Sequence, residues 1–267
     1  MKHDLIIRGG KLVTANETYT ADIGIKDGRI ATLGEDLDGN DIINADKKLV
    51  MPGGIEAHCH IAQESANGIM TSDDYETGSI SAAFGGNSCF VPFAAQKKGE
   101  SIASTIAEYD QRAETKSVID YSYHLILTDP NENVMNELPS AFERGITSFK
   151  VFMTYATRVS DAQFLDILTI ARRHGGLTMV HAENHDMLSW MSNALTQAGY
   201  TEPRYHAPAR PSLAEEEAIN RAISLSKLAN ASLMVVHVST PKGAELVARA
   251  RMDGAFVFGE TCPQYLF

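Results

Sequence analysis

Residues 145–184 read GITSFKVFMTYATRVSDAQFLDILTIARRHGGLTMVHAEN, and their rhythm decides the fold. ITSFKVFMT is an apolar run of strand length, SDAQFLDILTIARRHG spaces its apolar residues like an amphipathic helix, and LTMVHAEN is strand-like again. The unit recurs on both sides. Further strand candidates are GIEAHCHI, NSCFVPFAA, VIDYSYHLIL, SLMVVHVS and AFVFGET, and further helical stretches include ESIASTIAEYDQRAET, SLAEEEAINRAISLSKLAN and PKGAELVARARMDG. Repeated strand–helix units predict a parallel sheet with helices outside. Two architectures fit: a doubly wound sheet, or an α/β (β/α)8 TIM-type barrel with about seven of its eight strands present. No GxGxxG follows the first unit and no GxxxxGK[ST] occurs, which leaves the doubly wound sheet without its nucleotide-cradling loop.

Before KKLVMPGG, which ends at Gly54, the pattern is different. LIIRG, KLVTA and DIGIKDGRIATLG are short β-branched runs, with Asp27-Gly28 as a hairpin signal, so residues 1–52 read as an antiparallel part of a small β-sandwich domain and 53–267 as the barrel. Thr196–Ser212, TQAGYTEPRYHAPARPS, reads as a long excursion, which in a compact barrel is usually functional or oligomeric.

Composition narrows the function. The 267 residues carry 23 basic and 34 acidic side chains, a formal charge of −11, the wrong sign for neutralising phosphates or anionic lipid; nucleic acid and membrane surfaces are set aside as partners. No apolar run approaches the length of a membrane span, and MKHDLIIRGG lacks a signal-peptide core, so the expected location is cytoplasmic. Cys59, Cys89 and Cys262 are far apart and odd in number, and are read as reduced. GETCPQYLF runs from a strand-like segment to the last residue with no capping helix, as if the chain stops in mid-structure.

Polar residues that close apolar strands are the candidates for chemistry. His58 and His60 flank Cys59 on the first barrel strand; period-two alternation turns both imidazoles one way and Cys59 the other. His181 closes LTMV and His237 closes SLMVV. Any one of these is most simply a hydrogen-bonded core histidine. Four at one mouth make a metal site of borderline-soft nitrogen ligands, suited to zinc or a similar divalent ion. Lys150 lies among Phe149, Val151 and Phe152 on a strand buried on both faces. Burial disfavours its ammonium, and a neutral amine can take up carbon dioxide to become an anionic carbamate that bridges two metals. The alternative is a lysine reaching the rim, or paired with Glu183 or Asp186.

With these residues in hand, the chain resembles the dihydropyrimidinase and D-hydantoinase family of cyclic amidohydrolases, in its N-terminal portion only. The pieces that carry the resemblance are LVMPGGIEAHCHI, AAFGG, GITSFKVFMTY, MVHAEN, the RP-rich loop with EEEAINRAI, VVHVST and GETCPQYLF, in the family's order. The resemblance implies that His58 and His60 hold one divalent ion, His181 and His237 a second, both most simply zinc. It implies that Lys150 bridges them as N6-carboxylysine and that Tyr155 donates a hydrogen bond to the developing oxyanion. The implied reaction is the opening of a hydantoin, dihydropyrimidine or related cyclic imide by a metal-bridging hydroxide.

Departures qualify this. Glu56 stands where the family usually has Asp, and the family's acid/base aspartate on the eighth strand would lie beyond Phe267. Loops at 62–72, 93–100 and 153–162 correspond to those that line the family's substituent pocket. Ile61 and Ala62 follow His60 without the arginine of a dihydroorotase, which disfavours a carboxylated substrate. Two readings stand against an active enzyme: a non-catalytic oligomeric scaffold, disfavoured by the intact histidines and lysine, and an inactive fragment lacking the aspartate. The expected partners are a small cyclic amide and further copies of the chain, as a dimer or tetramer of the full-length protein.

Overall fold

A computed structural model describes residues 2–65 and 68–267, and the chain divides into two compact units, Met1–Gly54 and Ile55–Phe267. Of the loop at 62–72, Ala66 and Asn67 lie outside the described residues. Among the described residues no helix is long and apolar enough to cross a membrane.

The first unit holds β1 (His3–Val13), β2 (Thr18–Lys26), β3 (Arg29–Gly34), β4 (Gly39–Asn44) and β5 (Leu49–Val50), in the order β3-β2-β1-β4 with β5 beside β1. LIIRG and KLVTA prove to be one strand, bent at a bulge where Gly9 has φ +70° and donates its N–H to Asp22 Oδ1 at 2.8 Å. Asp27 and Gly28, at φ +51° and +70°, close the β2–β3 hairpin with two left-handed residues, as a twisted two-residue turn requires. The sheet is mixed rather than antiparallel, because β4 and β5 both run parallel to β1. Alternation with period two marks a strand and its faces but carries no direction, which is why the sequence misread this point.

The second unit holds β6 (Gly54–Cys59), α1 (Tyr75–Phe84), β7 (Asn87–Ala95), α2 (Ile102–Ala113), β8 (Asp120–Tyr121), β9 (His124–Ile126), α3 (Glu132–Glu143), β10 (Ser148–Phe152) and α4 (Asp161–Arg173). It continues with β11 (Leu177–His181), α5 (His185–Gln197), α6 (Ser212–Ala229), β12 (Leu233–Val235), α7 (Pro241–Met252) and β13 (Val257–Gly259). Seven strands form one curled sheet in the order β6-β7-β9-β10-β11-β12-β13, parallel from β7 to β13: the expected open (β/α) barrel. The run 118–127 divides into β8, a short strand beside β7, and β9. Helix α5 takes up the start of the long excursion, which shortens to 198–211. Helices α1 and α5 escape a periodicity search because they bury so little, Tyr75 and Ser79 on α1 and Leu188 on α5.

Alternation along the strands builds two cores. Leu125, Phe149, Val151, Val180, Leu233 and Val235 face the helices in one large cluster; Phe93, Ile126, Met179 and Val236 face the barrel interior in a smaller one. Each fully buried side chain of this size contributes roughly 1.5–3 kcal/mol. The inner positions lead along the strands to the mouth, where the polar candidates stand. Ser160 caps α4 and Gln163 reaches back to its N–H, fixing the return of the loop that carries Tyr155.

Phe149→Ala should lower the unfolding free energy in urea by about 3–5 kcal/mol, whereas Phe84→Ala, at a position 91% exposed on α1, should change it by less than about 0.5 kcal/mol. Equal costs would contradict this placement of the core.

Candidate metal centre

Lys150 is the inward-facing residue at the middle of β10, 1% exposed, with its Nζ 5.3 Å from the ring centroids of both Phe93 and Phe152. It neither reaches the rim nor pairs with Glu183, whose carboxylate is taken by His181 and Arg210; no ion pair among the described residues includes it. Burial pushes its amine down to about 7, against a smaller opposing pull from the Glu260 charge. Near neutral pH a substantial share of the side chain is therefore an uncharged nucleophile.

Above it stand the histidines. His58 is the penultimate residue of β6 and His60 follows the strand's end, on the same face, with ring centroids 5.4 Å apart. Cys59 packs against the outer core, its thiol pushed up to about 12 by burial, first, and by the Glu56 charge, and it remains an inert thiol. Phe93 lies flat under His60 at 4.8 Å and edge-on to His58 at 4.8 Å, a floor that sets both ring planes. His58 Nδ1–H donates to Glu260 Oε2 at 2.6 Å, and His60 Nδ1–H to Gln63 Oε1 at 2.6 Å.

His181 closes β11. Its Nε2–H donates to Glu183 Oε2 at 2.5 Å, and its Nδ1 faces His237 Nε2 at 3.0 Å. His237 follows Val236, which already points inward; a left-handed backbone, φ +40°, breaks the alternation and brings this ring to the mouth as well, 6.0 Å from that of His58. Burial, then the charges of His181, Lys150 and His58, push His237 down to about 3, and burial also lowers His60. Both are neutral imidazoles with a lone pair free. His124, a fifth histidine in the interior, is a core residue with both nitrogens satisfied, by Ala57 O at 2.9 Å and by the Ser148 hydroxyl.

The structure therefore brings His58, His60, Lys150, His181 and His237 to one place. Among the described residues, no three His, Cys, Asp or Glu side chains already form a metal-holding group. The donors form two imidazole pairs instead. The two ligand nitrogens of one tetrahedral ion, each roughly 2.0–2.1 Å from it, stand about 3.3 Å apart, close to the 3.0 Å between His181 Nδ1 and His237 Nε2. Two imidazoles leave an ion short of ligands, and an ammonium beside them would repel it. The donor set fits divalent ions once Lys150 becomes an anion.

Tyr155 lies just past β10, at φ +69°, a strained conformation of the kind that persists where the surroundings enforce it. Its ring is 5.1 Å from that of His181, and the Arg210 guanidinium lies 5.3 Å over it. Burial raises its phenol, against the Arg210 charge, and keeps it a hydrogen-bond donor. Arg210 comes from the excursion between α5 and α6 and also pairs with Glu183, giving that loop a place in the site. Two clefts meet at Tyr155. One of about 260 Å³ includes His181, His237, Arg210 and Tyr265; the other, about 540 Å³, is walled by Gln63, Gln96, Lys97 and Thr157, from the three loops at 62–72, 93–100 and 153–162. Glu56 accepts the backbone N–H of His58 at 3.0 Å. Sequence reasoning missed Glu260, although it closes the apolar run AFVFG just as His181 closes LTMV.

Comparison with known proteins gives relatives over nearly the whole chain. The chain is 43% identical over 266 residues to the D-hydantoinase of Geobacillus stearothermophilus, covering 98% of this chain and 56% of that protein. It is 34% identical over 266 residues to the dihydropyrimidinase of Rattus norvegicus, covering 96% and 51%. Superposed on the crystallised D-hydantoinase of a Bacillus species, at 44% identity, it gives a TM-score of 0.94 over 98% of this chain and 58% of the other. The chain is a homologue of the D-hydantoinases. It spans a little over half the length of these relatives, and no family model matches it.

A buried amine in this hydantoinase homologue has a cost that can be measured. Its folded value, about 7, lies below the ordinary 10.5, so between these pH values the unfolded chain binds more protons and stability rises with pH; below about 7 the full penalty is present. In metal-free, CO2-depleted buffer Lys150→Met should be more stable than the parent at pH 6.5, and the gain should shrink by about 1.4 kcal/mol per pH unit above 7. A gain independent of pH from 6.5 to 10 would contradict the buried, unpaired amine.

Proposed function

We propose that the chain carries the metal-binding portion of a cyclic amidohydrolase that opens hydantoin, dihydropyrimidine or related cyclic imide rings. The observation that carries this reading is Lys150, buried and unpaired between two imidazole pairs. Its neutral amine attacks carbon dioxide: the N–C bond forms, a C–O π pair moves onto oxygen, and the proton released from nitrogen passes to solvent. His58 and His60 would hold one divalent ion, His181 and His237 the other, and the Lys150 carbamate both. When bound, the ions supply a water acidic enough to be a nucleophile near neutral pH and polarise the carbonyl under attack.

The chain's own residues do the rest. Tyr155, held protonated beside His181, donates a hydrogen bond to the carbonyl oxygen as negative charge develops there. Arg210 braces the Tyr155 ring and Glu183 together. Phe93 and Phe152 keep water from the Lys150 amine. The three-loop cleft, mostly apolar with Gln63, Gln96 and Thr157 at hand, suits a ring substituent of modest size. Glu183 and Glu260 are both engaged by histidines, so neither is free to pass a proton to the leaving nitrogen. Large apolar side chains exposed at Trp190 and Leu213, on α5 and α6, suit self-association as a dimer or tetramer.

Metal analysis of the protein prepared in zinc and bicarbonate should give close to two ions per chain, falling to one or none in Lys150→Ala; none in the parent would overturn the reading. Where ring opening of hydantoin, dihydrouracil or succinimide is measurable, Tyr155→Phe should lower kcat by about 10²–10³ with little change in KM. An intact metal centre with no turnover of any of the three would favour a non-catalytic role.

A further inference from the structure

Glu260, the residue after β13, joins the two halves of the centre. Its Oε2 accepts the Nδ1–H of His58, from β6, at 2.6 Å and the backbone N–H of His237, beyond β12, at 3.3 Å. These strands stand far apart in the sheet: β6 and β13 are its two ends, and His58 and Glu260 are 202 residues apart in the chain. The backbone that carries this side chain is fixed on both sides: Glu260 N donates to Val235 O at 2.9 Å and the Glu260 carbonyl accepts from Val238 N at 2.7 Å. An ionised carboxylate only accepts, so the hydrogen in the short contact belongs to His58 Nδ1, and Nε2 is left with its lone pair. In water a histidine side chain prefers the opposite tautomer, with hydrogen on Nε2.

We propose that Glu260 is a positioning residue of the centre: it fixes His58 as the Nδ1–H tautomer and ties that ring to the backbone of His237, so that ligands from widely separated strands of an open sheet are set before any ion arrives. The proposal rests on the metal-binding reading for its purpose. Its structural content, the tautomer, can be read without metal. Carboxylate partners of this kind orient ligand histidines and keep a lone pair on the ligating nitrogen.

The test uses the 267-residue chain labelled with 15N-histidine and freed of metal. Long-range 1H–15N correlation reads each tautomer, and the His58 signals are identified by their loss in His58→Gln. The parent should show Nδ1–H at His58. Glu260→Ala should move His58 to Nε2–H and weaken zinc binding about 10–100-fold in competition with a chelator. Glu260→Gln keeps an acceptor oxygen and should keep both the tautomer and an affinity within about threefold of the parent. Glu260→Ala with an unchanged His58 spectrum or unchanged zinc affinity would overturn the proposal, as would Glu260→Gln losing as much as Glu260→Ala. Should Glu260→Ala not fold, Glu260→Gln decides, an Nε2–H tautomer in the folded variant being the contrary result. A parent that binds no zinc yet shows Nδ1–H at His58 would remove the metal-binding reading and leave the hold of Glu260 on the tautomer intact.

Discussion

An ammonium group cannot sit unpaired in an apolar interior without large cost, and the interior of this sheet sets Lys150 between the rings of Phe93 and Phe152. Everything at the mouth of the sheet is arranged around that constraint. The histidines nearest the amine are neutral or held by carboxylates of their own, and the one charge that favours the ammonium, Glu260, is tied up with His58. The position suits a side chain that is uncharged when empty and negative when loaded. Conversion to a carbamate, as proposed, would meet both conditions with the same atoms and would supply the oxygen donors that two imidazole pairs lack.

The fold serves this by alternation. Each inner residue of the parallel strands lies over the next, so an apolar layer of Phe93, Ile126, Met179 and Val236 is followed one step outward by the polar residues of the mouth. Outer positions pack against helices and need nothing from the site, and the loops are therefore free to carry Tyr155, Arg210 and the cleft walls. Two left-handed residues, Tyr155 and His237, lie where alternation alone would aim a side chain wrongly. Strain of about 1–3 kcal/mol at each is the cost of that placement.

Much of this was legible in the sequence. Apolar runs spaced by amphipathic stretches identified the seven strands, and polar residues closing those runs pointed to His58, His60, His181 and His237. Lys150 stood out because its neighbours are so apolar. What escaped is explained by what a linear pattern leaves out. Period two carries no strand direction, so β4 and β5 were misjudged. Glu260 met the rule used for the histidines but is a common surface residue, and only the curl of the sheet brings it to His58. Phe93 looks like any core aromatic until two imidazoles are seen to rest on it. The partners of Glu183 come from β11 itself and from a loop 27 residues away, which no local window joins.

The most direct test of the central claim is 13C NMR of the protein labelled with 15N-lysine and equilibrated with zinc and 13C-bicarbonate. A carbamate at Lys150 predicts one carbon signal split by a lysine 15N, absent from Lys150→Ala. No such signal in zinc-loaded protein, with the Lys150 amine observed as an ammonium at neutral pH, would contradict the account.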